Sequence, residues 1–167
     1  IDDVAAWMRS NRLQLNADKA EVMWCSSSRR QHQIPTAPLL VGSDVVTPVK
    51  SVRDLGIYVD SDLSMRTHVS RTVSGCFAIL RQLRSVRRSV TKPVLQSLVV
   101  SLVLSRLDYG SATLAGLPAR QLDRLRSVLH ASARLIYSAR KSDHVTPLLR
   151  DLHWLRYPQR IEFRLAV

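Results

Sequence analysis

Two hydrophobic periods divide this chain. Up to residue 60 the apolar positions come in short runs broken by polar turns, whereas beyond residue 62 they recur at every third or fourth position. Asp2 and Asp3 precede Val4, Ala5, Ala6, Trp7 and Met8, which predicts a helix fading near Ser10-Asn11. Adjacent aspartates are also the residue types of a metal-binding pair, but acids in a first helical turn are favoured by the helix dipole without any metal. Residues 13–19 then turn into Glu21-Val22-Met23-Trp24-Cys25, a strand candidate apolar on both faces. Residues 26–33 read as a polar loop carrying Arg29-Arg30. Pro38-Leu39-Leu40-Val41 and Val45-Val46 flank Gly42-Ser43-Asp44 and predict a short hairpin, and residues 52–60 predict a further strand.

In the second part, Val69, Val73, Cys76, Phe77, Leu80 and Leu83 share one face of a helix over residues 66–87. Arg81, Arg84 and Arg88 fall at spacings of three and four along one flank of that face, where a stripe of cations can track a backbone. Thr91 stands as an N-cap with Pro93 in the first turn of a second helix reaching residue 108. That helix is apolar nearly all round, which predicts a central place in a bundle. Its one polar line, Ser97, Ser101 and Ser105, marks a close helix approach or an exposed strip. A connector with Gly110, Gly116 and Pro118 leads to a third helix over residues 119–139, burying Leu122, Leu125, Leu129, Ala133 and Ile136 and turning Arg120, Arg124, His130 and Arg134 away. Thr146-Pro147 opens a short fourth helix, and Pro158 begins a last one still running at residue 167. Both ends have the look of a fragment.

Charge sharpens this division. Residues 1–60 hold 7 basic and 7 acidic side chains, while residues 61–167 hold 18 and 6, so the whole net charge of +12 resides in the helical part. The basic residues are almost all arginine, whose planar fork suits phosphate oxygens, and such a field favours a polyanion; a merely solvated Arg-rich surface is the alternative. Hydrophobic residues at 46% and charged residues at 23% exclude wholesale disorder.

Little conventional chemistry is visible. Cys25 and Cys76 have no close spacing and the five histidines are scattered, so neither a disulfide framework nor a zinc site is signalled. Five glycines, none close together, exclude a phosphate-binding loop of the Gly-rich kind. No stretch reaches the ~20 apolar residues of a spanning helix, so no membrane is expected. His153-Trp154, between Leu152 and Leu155, reads as a core plug before it reads as a site. Lys19 stands at a helix-to-strand turn, either solvated or within reach of a phosphate.

Four ordered motifs carry a resemblance. Trp7-Met8 with Asn11-Arg12-Leu13-Gln14-Leu15-Asn16-Ala17-Asp18-Lys19-Ala20-Glu21-Val22, then Val52-Arg53-Asp54-Leu55-Gly56-Ile57, then Ser105-Arg106-Leu107-Asp108-Tyr109, then Thr146-Pro147-Leu148-Leu149 with Leu152-His153-Trp154-Leu155 and Arg160-Ile161, together resemble the late palm and thumb of reverse transcriptases from non-LTR, LINE-type retrotransposons of the jockey, CR1 and L2-like kinds. Ala20 where the family usually has Thr, and Arg156-Tyr157 where it usually has Pro, depart from the pattern.

The resemblance implies an α+β fragment: residues 1–62 as a partial palm of one helix and short antiparallel strands, and residues 63–167 as an all-helical thumb bundle. It implies a primer grip at Leu55, Gly56 and Ile57, nucleic-acid backbone contacts at Arg81, Arg84 and Arg88, and a nucleotide-proximal Lys19. The metal-binding aspartates belong to strands upstream in the family order, so no catalytic residue and no metal ligand is expected here, and the Mg²⁺ of the parent polymerase would bind elsewhere. The implied partners are an RNA template, an RNA–DNA hybrid or DNA primer, and the upstream palm and fingers of the same polyprotein. The implied location is intracellular, in cytoplasm and nucleus. An autonomous Arg-rich helical module binding nucleic acid or protein is the other expectation.

Overall fold

The structure, a computed structural model, describes residues 2–13, 19–41 and 44–167. Residues 14–18 of the turn expected over residues 13–19, and Gly42-Ser43 of the expected hairpin, lie outside the described residues. Among those described, seven helices and two two-stranded antiparallel sheets make an α+β fold, as expected. The chain forms two compact units, Ile1–Thr67 and His68–Val167, so the division falls five residues later than the change of period suggests.

In the first unit, α1 (Asp2–Ser10) ends where the Ser10 hydroxyl and the Asn11 amide both donate to the Trp7 carbonyl, side chains competing for a terminal acceptor. The strand expected at residues 21–25 is not formed. That segment is irregular, tied down by single backbone bonds from Val49 N to Val22 O (2.9 Å) and from Ser26 N to Ser61 O (2.9 Å). Residues 26–33 contain a 3-10 turn, Ser28–Gln33, instead of an open loop. β1 (Leu39–Val41) and β2 (Asp44–Val46) form the expected hairpin, with Leu39 opposite Val46.

The stretch 52–60 departs most from expectation. It is not one strand but the larger part of a hairpin, β3 (Ser51–Asp54) and β4 (Ile57–Asp60), with Asp54 opposite Ile57 and only Leu55 and Gly56 between them. Both turn residues have positive φ, 44° and 86°, the type I′ arrangement whose twist matches that of the flanking strands. Gly adopts this conformation freely; Leu does so at a cost. The chain then enters α2 (Arg66–Val86), whose first turn is held by acids: buried Asp60 accepts from Thr67 N at 3.0 Å, and Asp62 accepts from Ser64 N at 3.1 Å and from the Arg66 guanidinium.

The second unit contains nearly all of the fully buried apolar side chains. α2 contributes Val69, Val73, Cys76, Leu80 and Leu83, as its periodicity predicts, while Phe77 is only half-buried. A continuous helical rod follows: α3 (Lys92–Val99), a π-helical turn (Val100–Leu104) and α4 (Ser105–Asp108). Its buried line, Leu95, Val99, Val103 and Leu107, has a strict four-residue spacing. An α-helix would drift off one face at that spacing, and the wider π turn takes up the drift. This rod is not wrapped on all sides, as its sequence suggested: Val94, Val100 and Leu102 are exposed, and the serine line is an exposed strip, with Ser105 donating back to the Ser101 carbonyl.

α5 (Ala119–Tyr137) buries Leu125, Val128, Leu129, Ser132, Ala133, Leu135 and Ile136. It ends at Ser138, left-handed at φ 56°, with Ala139 N bonded to Arg134 O (3.0 Å) and Ser138 N to Leu135 O (3.4 Å), a Schellman stop. α6 (Val145–Asp151) stops in the same way: His153 has φ 56° and Trp154 N reaches Leu149 O at 2.8 Å. α7 (Tyr157–Ala166) is opened by a capping box in which Gln159 accepts from Arg156 N at 3.1 Å. Its Tyr157, fully buried, donates to the Leu107 carbonyl at 3.4 Å, and desolvation raises its phenol far above the ordinary range.

Candidate nucleic-acid interface

Arg124 near the start of α5 donates to Ser70 near the start of α2 at 3.3 Å, and residues further along both helices line a common groove of about 620 Å³. Its floor is apolar, with Phe77, Leu80, Ala131, Leu135 and Ala139; its rim carries Arg81, Arg84, Arg87, Arg134 and Lys141. No acid lines it. The salt bridges Arg66–Asp62, Arg126–Asp123 and Arg160–Asp108 involve no rim cation.

Physical reasons local to each element place these cations. The last turns of α2 and α5 carry the negative ends of two helix dipoles, each equivalent to roughly half a charge, and cations there are favoured. That explains one or two basic groups. Five on one groove exceed it and leave the site strongly positive. Arg134 is anchored from the side: its Nη2 donates to the Asp143 carbonyl at 3.1 Å, while its Nε is buried without an acceptor. His130, one turn earlier on the same flank, responds to the field. Burial first, then Arg126 and Arg134, hold its imidazole below the ordinary value.

The structure thus brings together two of the three arginines expected to contact a backbone. Arg81 and Arg84 line the groove; Arg88 does not, and Arg87 does. At Arg87 the helix tightens into a 3-10 turn, Arg87–Ser89, where each residue advances by about 120° in place of about 100°. Arg88 is carried off the face as a result. Arg134 and Lys141 come from the far helix and its following loop, a contribution that spacing along α2 alone cannot reveal.

In the first unit, the hairpin tip has a distinct character. Leu55 is 83% exposed and left-handed, an apolar side chain displayed at a strained position, while Gly56 and Ile57 are half-buried. Arg53 lies 5.7 Å from the ring centroid of Tyr58, its cross-strand partner. Lys19 is exposed. Of the expected core plug, Trp154 is half-buried, while His153 is exposed and serves as the left-handed residue ending α6. Cys25 is exposed, and burial pushes the Cys76 thiol up to about 11. Among the described residues no group of three or more His, Cys, Asp or Glu could hold a metal ion, and no helix is long and apolar enough to cross a membrane. No family model, curated protein or solved structure matches the chain.

Proposed function

We propose that this chain is the late palm and thumb portion of a reverse transcriptase of the non-LTR, LINE type, gripping template and primer through the sugar-phosphate backbone while the metal-binding aspartates and their Mg²⁺ belong to upstream segments. The observation that carries the reading is the acid-free groove with five cations on its rim. Arginine forks on a groove without competing carboxylates favour phosphate, and backbone contacts of this kind position a nucleic acid without reading its sequence. Two further features agree with it. An exposed, strained Leu55 at a hairpin tip is the sort of residue that is retained for contact and not for stability. The first unit also leaves Val4, Trp7, Leu13 and Trp24 exposed, apolar surface that the missing neighbours of a palm would cover.

The second reading, a self-sufficient basic helical module, draws on the concentration of core residues in His68–Val167. The two part at the hairpin. In the polymerase reading, substitutions at Leu55 alter binding of a primer terminus; in the module reading they do not. The test of the shared premise is binding of a fluorescent RNA–DNA hybrid across a salt series. Combined alanines at Arg81, Arg84 and Arg87 reduce the slope of log affinity against log salt by roughly 0.7–0.9 per lost phosphate contact. Binding that is insensitive to salt, or to the triple substitution, would remove the groove from the account.

A further inference from the structure

Resting on the polymerase reading and deepening it, we infer that the strand entering the groove between α2 and α5 is single: its phosphates meet the rim cations and one of its bases lies on Phe77. The groove has two chemistries at two depths. The rim is cationic, with Arg81, Arg84, Arg87, Arg134 and Lys141, and the floor is apolar. At about 620 Å³ it has the size of a cleft for small ligands, smaller than a stack of several base pairs. A duplex would therefore rest on the rim and leave the floor in water. A flexible single strand can do both, because it has a charged backbone and free base faces that stack on aromatic rings.

Phe77 is the residue suited to that role. It belongs by spacing to the buried face of α2, yet it remains half-buried where its neighbours Val73, Cys76 and Leu80 are closed off. Leu80 and Leu135, both buried, line the same groove. Arg134 adds a donor in want of an acceptor: its Nη2 is fixed on Asp143 while its Nε is buried and unpaired. An unpaired buried donor is costly, and a phosphate oxygen drawing the guanidinium outward relieves that cost. An acidic peptide with apolar residues shares some of these features, but the forks of three arginines, Arg81 and Arg84 on α2 and Arg87 on the turn that follows it, favour phosphate.

The experiment compares a blunt RNA–DNA hybrid with the same hybrid carrying an unpaired RNA overhang, using the 167-residue chain, with a fluorescent base analogue in the overhang as a second readout. Tighter binding of the overhang form, and quenching of the analogue as it stacks, are expected. Phe77→Leu, which keeps the apolar volume but removes the ring, should weaken the overhang form roughly five-fold or more, abolish the quenching and shrink the difference in affinity between the overhang form and the blunt hybrid. Equal binding of the two forms, with no quenching and no effect of Phe77→Leu, overturns the single-strand inference while leaving the polymerase reading intact. If neither form binds, both fall. If an acidic amphipathic peptide occupies the groove in preference to the overhang, the site is a peptide site and the inference fails.

Discussion

Arg160 on α7 holds Asp108 at the end of α4 by two points, Nε to Oδ1 at 2.8 Å and the terminal Nη2 to Oδ2, across 52 residues of chain. The two side chains are 17% and 16% exposed, so the pair is mostly shielded from water. Two segments that the resemblance singled out separately, Ser105-Arg106-Leu107-Asp108-Tyr109 and Arg160-Ile161, are thus one structural joint, reinforced by Tyr157 on the Leu107 carbonyl. Arg160→Ala leaves a largely buried carboxylate unpaired and should destabilise by about 2–3 kcal/mol, read as a lower urea midpoint; Arg160→Lys, which keeps charge but loses the fork, should cost about half of that. Equal stability of Arg160→Ala and the parent would make the joint incidental.

Ser138 ends α5 in the left-handed region at φ 56°, where a Cβ is unwelcome and glycine is the usual occupant. Ser138→Gly removes that strain and should raise stability by about 0.5–1 kcal/mol, partly offset by the greater freedom of glycine in the unfolded chain. His153→Gly at the end of α6 should act in the same direction. A fall in melting temperature for both would show that these side chains contribute more than their backbone costs.

How far these features could be read in advance differs by element. The face Val69, Val73, Cys76, Leu80 and Leu83 was legible because a long α-helix repeats one local rule. The split of residues 51–60 into a hairpin was not, since a type I′ turn is announced by Asn-Gly or Asp-Gly and here Leu55 precedes the glycine. Helical spacing placed Arg88 on the stripe because it assumes an unbroken α-helix, and the tighter turn at Arg87 breaks that assumption. Arg134 and Lys141 join the site through tertiary approach, which no periodicity within α2 encodes.

The tip of the β3–β4 hairpin offers a test in which stability and function move apart. Leu55→Asn supplies the residue a type I′ turn prefers and should stabilise the hairpin by about 0.5–1 kcal/mol, since it relieves the left-handed leucine. If the exposed leucine contacts a primer terminus, the same change should weaken binding of a recessed primer end several-fold, measured against a blunt hybrid as control. Stabilisation with unchanged binding would leave the tip without a role in nucleic-acid contact.

Neighbouring arginines separate a groove from a diffuse field. Arg87 lines the groove and Arg88 does not, although each carries one charge on the same short 3-10 turn. Arg87→Ala should weaken hybrid binding about three- to ten-fold at low salt and lower the salt slope, whereas Arg88→Ala should change affinity by less than about two-fold. Equal losses in the two variants would mean that net charge, and not the groove, does the binding.

His130 reports on the same field through pH. Burial, with Arg126 and Arg134 adding to it, lowers the folded-state imidazole below its unfolded value of about 6.5. Between those two values the unfolded chain binds the proton and the folded chain does not, so stability rises with pH through that window. The His130 contribution is therefore fully present above about pH 6.5, is lost as pH falls toward the folded pKa, and is flat below it. His130→Gln should remove this acid-side slope from the urea midpoint measured between about pH 5 and 7. A polyanion in the groove opposes the arginine field, and should shift the His130 ring titration, followed by NMR, upward. A downward or absent shift on saturation with hybrid would place the bound phosphates away from Arg134.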